Sequence, residues 1–188
     1  SANDNTIAWY ENADSVGGSW THHVISNAAD NAVSVFAVDV DGDGDVDALS
    51  ASLTDDTVAW YENADGAGAS WTRHEISTAA DGAYSVFAID VDGDGDVDAL
   101  SASQTDDTIA WYENADGAGG AWTHHEISTL ADGARSVFAI DVDGDGDVDA
   151  LSASEGDDTI AWYENVDGVG GSWTYHEIST AADGARSV

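Results

Sequence analysis

A 51-residue repeat runs through the whole chain and constrains its fold more than any other feature. The equivalent tryptophans are Trp9, Trp60, Trp111 and Trp162 in Ala-Trp-Tyr-Glu-Asn segments, followed by Trp20, Trp71, Trp122 and Trp173. Near-identity at a period of about 20–50 residues is typical of solenoids, propellers and other arrays. The chain holds four copies of this tryptophan-rich half of the repeat and three copies of an aspartate-rich half.

The aspartate-rich half has five aspartates on alternate positions, at residues 39–47, and it recurs at residues 90–98 and 141–149. Carboxylates this close repel each other unless a cation lies among them. Oxygen-only ligands with glycine at the sixth position suit Ca²⁺, so the sequence predicts three calcium sites. A solvated acidic turn is the alternative. An EF-hand is excluded, because the glutamate at the twelfth position and the flanking helices are missing.

Each repeat is expected to form four short strands. In one copy they are Ser85–Val91, Ala99–Ala102, Thr108–Glu113 and Trp122–Ser128, rich in β-branched and aromatic residues. The aspartate-rich loop joins the first two strands, and the glycine turn at residues 116–120 joins the last two. No segment of ten or more residues has apolar residues at helical spacing. The chain is therefore predicted to be all-β and antiparallel.

Stacking of such four-stranded units around an axis would bury both of their faces. Trp111 and Tyr112 are expected on opposite faces of the third strand, one toward each neighbouring unit. The predicted fold is a β-propeller of four-stranded antiparallel blades, with about three and a half blades in this chain. Its predicted units are residues 1–34 (a half blade with strands three and four), 35–85, 86–136 and 137–188 (a blade plus the start of the next). A parallel β-helix is the competing architecture, although its repeats are usually shorter.

The charge is extreme: 38 Asp and Glu against three Arg and no Lys give a net charge of −35. Such a surface excludes nucleic-acid binding through a basic patch and disfavours anionic membranes. It suits high salt, so a secreted or cell-surface protein of a saline, calcium-rich habitat is predicted. A design or a recent duplication of an acidic unit is the alternative. The chain has no Cys for disulfides and no apolar run long enough to span a membrane. It also has no Met, as expected for a mature segment or for one excised from a longer array.

The loop pattern Asp-x-Asp-x-Asp-Gly-x-x-Asp, preceded by Val-Phe-Ala and followed by Ala-Leu-Ser-Ala-Ser, resembles the FG-GAP/VCBS repeat. The Ala-Trp-Tyr-Glu-Asn and Trp-Thr-His-His segments are similar to those of secreted marine bacterial members. The resemblance implies one propeller blade per repeat, as in integrin α-subunit head domains, where seven blades are usual. It also implies calcium ligands at the first, third, fifth and ninth positions and a backbone carbonyl at the seventh. The implied side-chain ligands are Asp39, Asp41, Asp43, Asp47, Asp90, Asp92, Asp94, Asp98, Asp141, Asp143, Asp145 and Asp149, with the carbonyls of Asp45, Asp96 and Asp147.

Catalysis is not expected. The chain has no Cys, no Lys, no serine nucleophile elbow and no glycine loop before a helix. One histidine recurs in each repeat, at His23, His74, His125 and His176. Copies on successive blades would point in different directions, which favours a structural role over a shared metal or acid–base site. The tryptophans are expected to pack between blades, with sugar stacking as the alternative.

The predicted function is a non-enzymatic, calcium-binding extracellular β-propeller module for adhesion or ligand binding. The alternatives are a lectin-like carbohydrate-binding propeller with aromatic residues in clefts between blades, an ancillary propeller of a secreted polysaccharide-active enzyme, and a structural or designed assembly unit. Partners are expected to be calcium and a protein or glycan ligand. Unpaired strand edges favour a homo-oligomer, with a dimer ahead of an end-to-end fibre, or a longer array.

A ligand face is predicted from differences among the repeats. The calcium-loop end is nearly constant, whereas the opposite end varies in two connections. The varying positions are Ala2, Leu53, Gln104 and Glu155 between the second and third strands, and Val33, Tyr84, Arg135 and Arg186 between units. The candidate ligand residues are Leu53, Tyr84, Arg135 and Arg186. Drift at tolerant loop positions is the alternative.

Overall fold

The computed structural model describes residues 5–188, which contain fourteen strands and no helix. Ala2 and the start of the predicted first half blade lie outside the described residues. The all-β, antiparallel prediction is confirmed in this range. Since no helix forms there, none of the described segments is a helix of the length and hydrophobicity needed to cross a bilayer.

The strands form four separate antiparallel sheets, in which neighbours follow the order of the chain. Sheet I contains β1 (Ile7–Asn12) and β2 (Trp20–Ser26). Sheet II contains β3 (Ala32–Val38), β4 (Asp47–Ser52), β5 (Thr57–Asn63) and β6 (Trp71–Ser77). Sheet III contains β7 (Ala83–Ile89), β8 (Asp98–Ser103), β9 (Thr108–Asn114) and β10 (Trp122–Ser128). Sheet IV contains β11 (Ala134–Ile140), β12 (Asp149–Ser154), β13 (Thr159–Asn165) and β14 (Trp173–Ser179).

The strands of sheet III lie within one residue of their predicted bounds, except the first, which lies two residues earlier than predicted. β7 begins at Ala83, so the predicted division at residues 85/86 falls inside it. The division into units stays a prediction. Burial is greatest in the second strand: every residue of β8 (Asp-Ala-Leu-Ser-Ala-Ser) is buried, and its small side chains let neighbouring sheets approach closely. The fourth strand is the most exposed, so it forms the outer edge of each four-stranded sheet.

Consecutive sheets pack face to face through apolar cores. Trp60 of sheet II and Tyr112 of sheet III belong to one buried cluster, and each is at most 2% exposed. Trp111 and Tyr163 occupy the same positions in the next cluster, between sheets III and IV. The tryptophan thus faces the following sheet and the tyrosine the preceding one, as the alternation of the third strand predicts. The first strands also meet, because the rings of Phe36, Phe87 and Phe138 lie 4.7 Å apart in succession.

Hydrogen bonds between sheets repeat with the same period. The indole Nε1 of Trp60 donates to the carbonyl oxygen of Gly119 at 3.1 Å, and Trp122 donates to the same oxygen at 2.9 Å. Gly119 has a φ of +66°, and a Cβ there would lie 2.4 Å from the Trp60 ring. Only glycine combines this backbone conformation with so close an approach. Trp9 and Trp111 donate the equivalent hydrogen bonds, each to the glycine turn of the sheet that follows its own.

Candidate metal centre

Each aspartate-rich loop connects the first and second strands of a four-stranded sheet. In sheet II, two glycines with positive φ, Gly42 at +74° and Gly44 at +94°, turn the chain sharply. The turn brings carboxylate oxygens of Asp39, Asp41 and Asp43 within 4.8 Å of one another. These are the predicted ligands at the first, third and fifth positions. Three oxygens at this separation form a group that could hold one hard cation.

The other two loops form comparable groups. Asp90, Asp92 and Asp94 converge in sheet III. In sheet IV the group contains Asp141, Asp143 and Asp149, so here the ninth position replaces the fifth, Asp145. The structure thus brings together different subsets of one predicted ligand set. Which of these carboxylates bind an ion stays a prediction.

The ninth aspartate of each loop lies beneath the others, at the start of the second strand. Asp98 is 1% exposed, and its two carboxylate oxygens accept hydrogen bonds from the backbone N–H groups of Asn114 and Val91, each at 2.9 Å. Asp47 and Asp149 make the equivalent bonds. A carboxylate has about four acceptor sites, so these bonds leave capacity for a cation. The ninth aspartate therefore fixes the loop to the sheet and remains available as a ligand.

Burial makes the ninth aspartate costly to ionise in sheets II and III, where it raises the pKa of Asp47 and of Asp98. It raises the pKa of Asp98 to about 7, and the charges of Asp92 and Asp94 add to the increase, while the two backbone hydrogen bonds oppose it. The pKa of Asp92 is also raised, by burial first and by the charges of Asp94 and Asp90. A divalent cation would reverse this balance because it favours the charged form of every carboxylate around it. The donor set thus fits calcium, with only oxygens, several charges and a buried anchor.

The seventh aspartate points away from the cluster. The Asp96 side chain lies against the glycine turn of its own sheet, where a Cβ on Gly117 would be 2.5 Å from its carboxylate. Asp45 and Asp147 face Gly66 and Gly168 in the same way. The aspartate-rich loops and the glycine turns therefore lie together at one end of the sheets, as predicted. This position of the side chain is compatible with the predicted use of the seventh residue through its carbonyl.

The repeated histidines have local partners. The His74 ring stacks on Trp60 with centroids 4.5 Å apart, and its Nε2 lies 2.9 Å from Glu62. The same three-residue arrangement recurs in the other sheets, with Nε2–carboxylate distances of 2.7–3.1 Å. The packing supports the predicted structural role. The glutamate partner was missed, although its strict recurrence two residues after the tryptophan was a signal.

The predicted ligand residues lie at the opposite end. The Arg135 guanidinium sits 4.3 Å above the ring of Tyr84, and Glu155 forms ion pairs with both Arg135 and Arg186. The Arg135 side chain is only 17% exposed. Glu155 thus pairs with both of the cations that were expected to attract a ligand. Leu53 is half-buried, and its N–H donates to Asn31 at 3.1 Å in the equivalent turn of sheet II.

The sequence of these loops and of the strands around them matches the profile of a known repeat family. The profile of the FG-GAP-like repeat matches residues 39–101 and 90–152, which together span more than half of the chain. The chain belongs to the FG-GAP-like repeat family. Each FG-GAP-like match begins at the first aspartate of a loop and ends in the second strand of the following sheet. The predicted resemblance is therefore confirmed. A comparison with curated proteins finds no match.

Proposed function

We propose that this chain is a non-enzymatic, calcium-binding β-propeller module of an extracellular protein. The observation that carries the proposal is the repeated convergence of aspartate oxygens above a buried ninth aspartate. Three such loops occur at the same end of successive sheets. A bound ion would supply the positive charge that these carboxylates lack, and the loops would hold it through oxygen atoms alone.

The role proposed for calcium is mechanical rather than catalytic. Each loop joins the first strand of a sheet to its buried second strand, so fixing the loop fixes the edge where neighbouring sheets meet. An ion that binds the folded state and not the unfolded chain stabilises the fold by mass action. Calcium would therefore act as a brace for a binding or adhesive surface.

The propeller arrangement rests on how the sheets pack. Successive four-stranded sheets contact each other through their first strands and through their third strands, which turn one face toward the following sheet and the other toward the preceding one. Radial stacking of blades, with the most exposed fourth strand outermost, would produce these contacts. Secretion into a saline, calcium-rich medium is proposed from the net charge of −35, which high salt would screen.

Thermal unfolding with and without a chelator tests the calcium proposal. We expect a large fall in melting temperature in chelator, reversed by Ca²⁺ better than by Mg²⁺, which resists a crowded all-protein site. Asp92→Asn should remove one calcium site from an isothermal titration and leave two. Asp116→Asn, in the exposed glycine turn of the same sheet, is the matched control and should leave all three. A melting curve unchanged by chelator would refute the proposal.

Association with further repeat units is proposed for the outer faces of sheets I and IV. Tyr10 is 60% exposed, whereas its equivalents Tyr61 and Tyr112 are buried against a preceding sheet. Among residues 5–188, the buried Nε1 of Trp162 has no acceptor, whereas Trp111 bonds to the next glycine turn. The two faces are complementary, so a second copy could cover them. Light scattering in calcium is expected to detect a dimer; a monomer at every concentration would contradict this.

A further inference from the structure

A cleft of about 490 Å³ opens between sheets III and IV, on the outer side of the packed sheets. Leu130, Ser128 and Thr129, in and after β10, line one wall. Trp173 and Tyr175, on β14, line the other. Tyr163 lies at the base, with its ring centroid 5.7 Å from that of Tyr175. The cleft is built from outer strands, so it is separate from the aspartate-rich loops and from the arginine cluster.

Two departures from the repeat meet in this cleft. The position of Leu130 is alanine in every other copy, namely Ala28, Ala79 and Ala181. The position of Tyr175 is never tyrosine elsewhere, and holds His22, Arg73 and His124. The two residues come from different repeat copies, yet the fold places them on facing walls of one space. Leu130 is 85% exposed and Tyr175 is 53% exposed, so both present apolar surface to solvent.

The polar groups around the aromatic surface define the chemistry of an occupant. Ser128 and Thr129 offer hydroxyl groups. Glu177 and Asp157 lie close enough to Tyr175 that, after burial, their charges raise the pKa of its hydroxyl. No arginine lines the cleft, and the protein has no lysine. An anionic ligand would therefore meet only like charges.

We propose that the cleft between sheets III and IV binds a neutral oligosaccharide. One face of a pyranose ring carries C–H groups that pack on an exposed aromatic ring, and its edge carries hydroxyl groups. These hydroxyls can exchange hydrogen bonds with the hydroxyl groups of Ser128, Thr129 and Tyr175, which line the cleft. Tyr175 and Trp173 would form the stacking surface, and Leu130 would close the cleft from the opposite wall. An extended apolar side chain would leave these hydroxyl groups without partners, so a sugar, which offers both an apolar face and hydroxyl groups, fits the site better.

Isothermal titration of the calcium-saturated chain with cellohexaose, laminarihexaose and mannohexaose tests this proposal. At least one of these neutral sugars should bind with one site per chain, and an oligogalacturonate of similar length should not. The double variant Leu130→Ala with Tyr175→His gives this cleft the residues of its neighbour between sheets II and III. We expect it to lose affinity by about tenfold or more, since it removes both the stacking ring and the facing apolar wall from the cleft.

A gain of function provides the matched experiment. Ala79→Leu with His124→Tyr installs the two residues in the neighbouring cleft, and a second sugar site per chain should appear. Failure of all three neutral sugars to bind, full affinity in the first variant, or an unchanged number of sites in the second would overturn the proposal. Tighter binding of the oligogalacturonate would do the same. Since calcium stays saturating, these outcomes are distinguishable from failure of the calcium proposal, which the melting experiment reports.

Discussion

The hydrogen bond between successive sheets can be measured by comparing two equivalent tryptophans. Trp111 is 1% exposed, and its Nε1 donates to Gly170 at 3.1 Å in the following sheet. Trp162 occupies the same position of the next repeat, but its buried Nε1 has no acceptor within residues 5–188. Replacing each by phenylalanine removes one indole N–H, and the two settings differ in this bond and in the sheet that packs over Trp111.

The structure gives the expected size of the difference. Trp111→Phe loses a hydrogen bond worth about 1 kcal/mol, whereas Gly170 keeps its second donor, Trp173. Trp162→Phe instead removes a buried donor without a partner, which relieves a cost of about 1–3 kcal/mol. We therefore expect Trp111→Phe to be the more destabilising by about 2–4 kcal/mol. For a chain of this size that corresponds to a difference in melting temperature of about 4–16 °C.

Thermal and urea unfolding of both variants in saturating calcium provide the assay, at protein concentrations where light scattering reports single copies. Equal losses for the two variants would refute the reasoning, because the bond between sheets would then contribute nothing. Where copies associate, the difference should shrink, since a second copy could supply the acceptor that Trp162 lacks.

Three further predictions concern other parts of the fold. Gly119→Ala places a Cβ 2.4 Å from the Trp60 ring and should lower the melting temperature more than Gly17→Ala does. Gly17 has the same repeat position, but no atom lies within 4 Å of a Cβ built there. Equal effects of the two substitutions would mean that the positive φ alone requires glycine. In chelator, the free energy of unfolding should fall as pH rises from about 4 to 7. The reason is that the pKa of Asp98 is raised from 3.8 to about 7, so the folded chain binds more protons than the unfolded chain in that window. Asp98→Asn should flatten this dependence of the melting temperature on pH. Glu155→Ala leaves two guanidinium groups without their shared carboxylate and should lower the midpoint of urea unfolding, with a smaller loss in high salt.

Strand positions could be predicted because the signal is local. β9 was expected at residues 108–113 and extends to Asn114, since β-branched and aromatic residues favour a half-buried pleated surface and a polar turn limits them on each side. The packing of Trp111 and Tyr112 on opposite faces followed from the period of a strand. The start of β7 was set too late, at Ser85 instead of Ala83, because alanine carries little strand signal.

Contacts between repeats could not be predicted in the same way. The acceptor of Trp60 is a backbone carbonyl 59 residues away, and any residue type offers such a carbonyl. The hydrogen bonds that Asp98 accepts come from backbone N–H groups, so the residue types of the donors do not predict them either. The cleft at Leu130 and Tyr175 is different, because its signal was present as departures from the repeat. The sequence alone does not show that Leu130 and Tyr175, which come from different repeat copies, face one space.

The side chain of Asn114 links two successive aspartate-rich loops. Its Nδ2 donates to Val40 at 3.1 Å in the loop of sheet II and to Val97 at 3.3 Å in the loop of sheet III, and its N–H bonds to Asp98. An ion that orders either loop therefore orders an amide shared with the other. By thermodynamic linkage, each site should raise the affinity of its neighbour by the same factor. The loops would then respond to calcium as a cooperative series, and calcium titration should show a narrower transition than three separate sites would give.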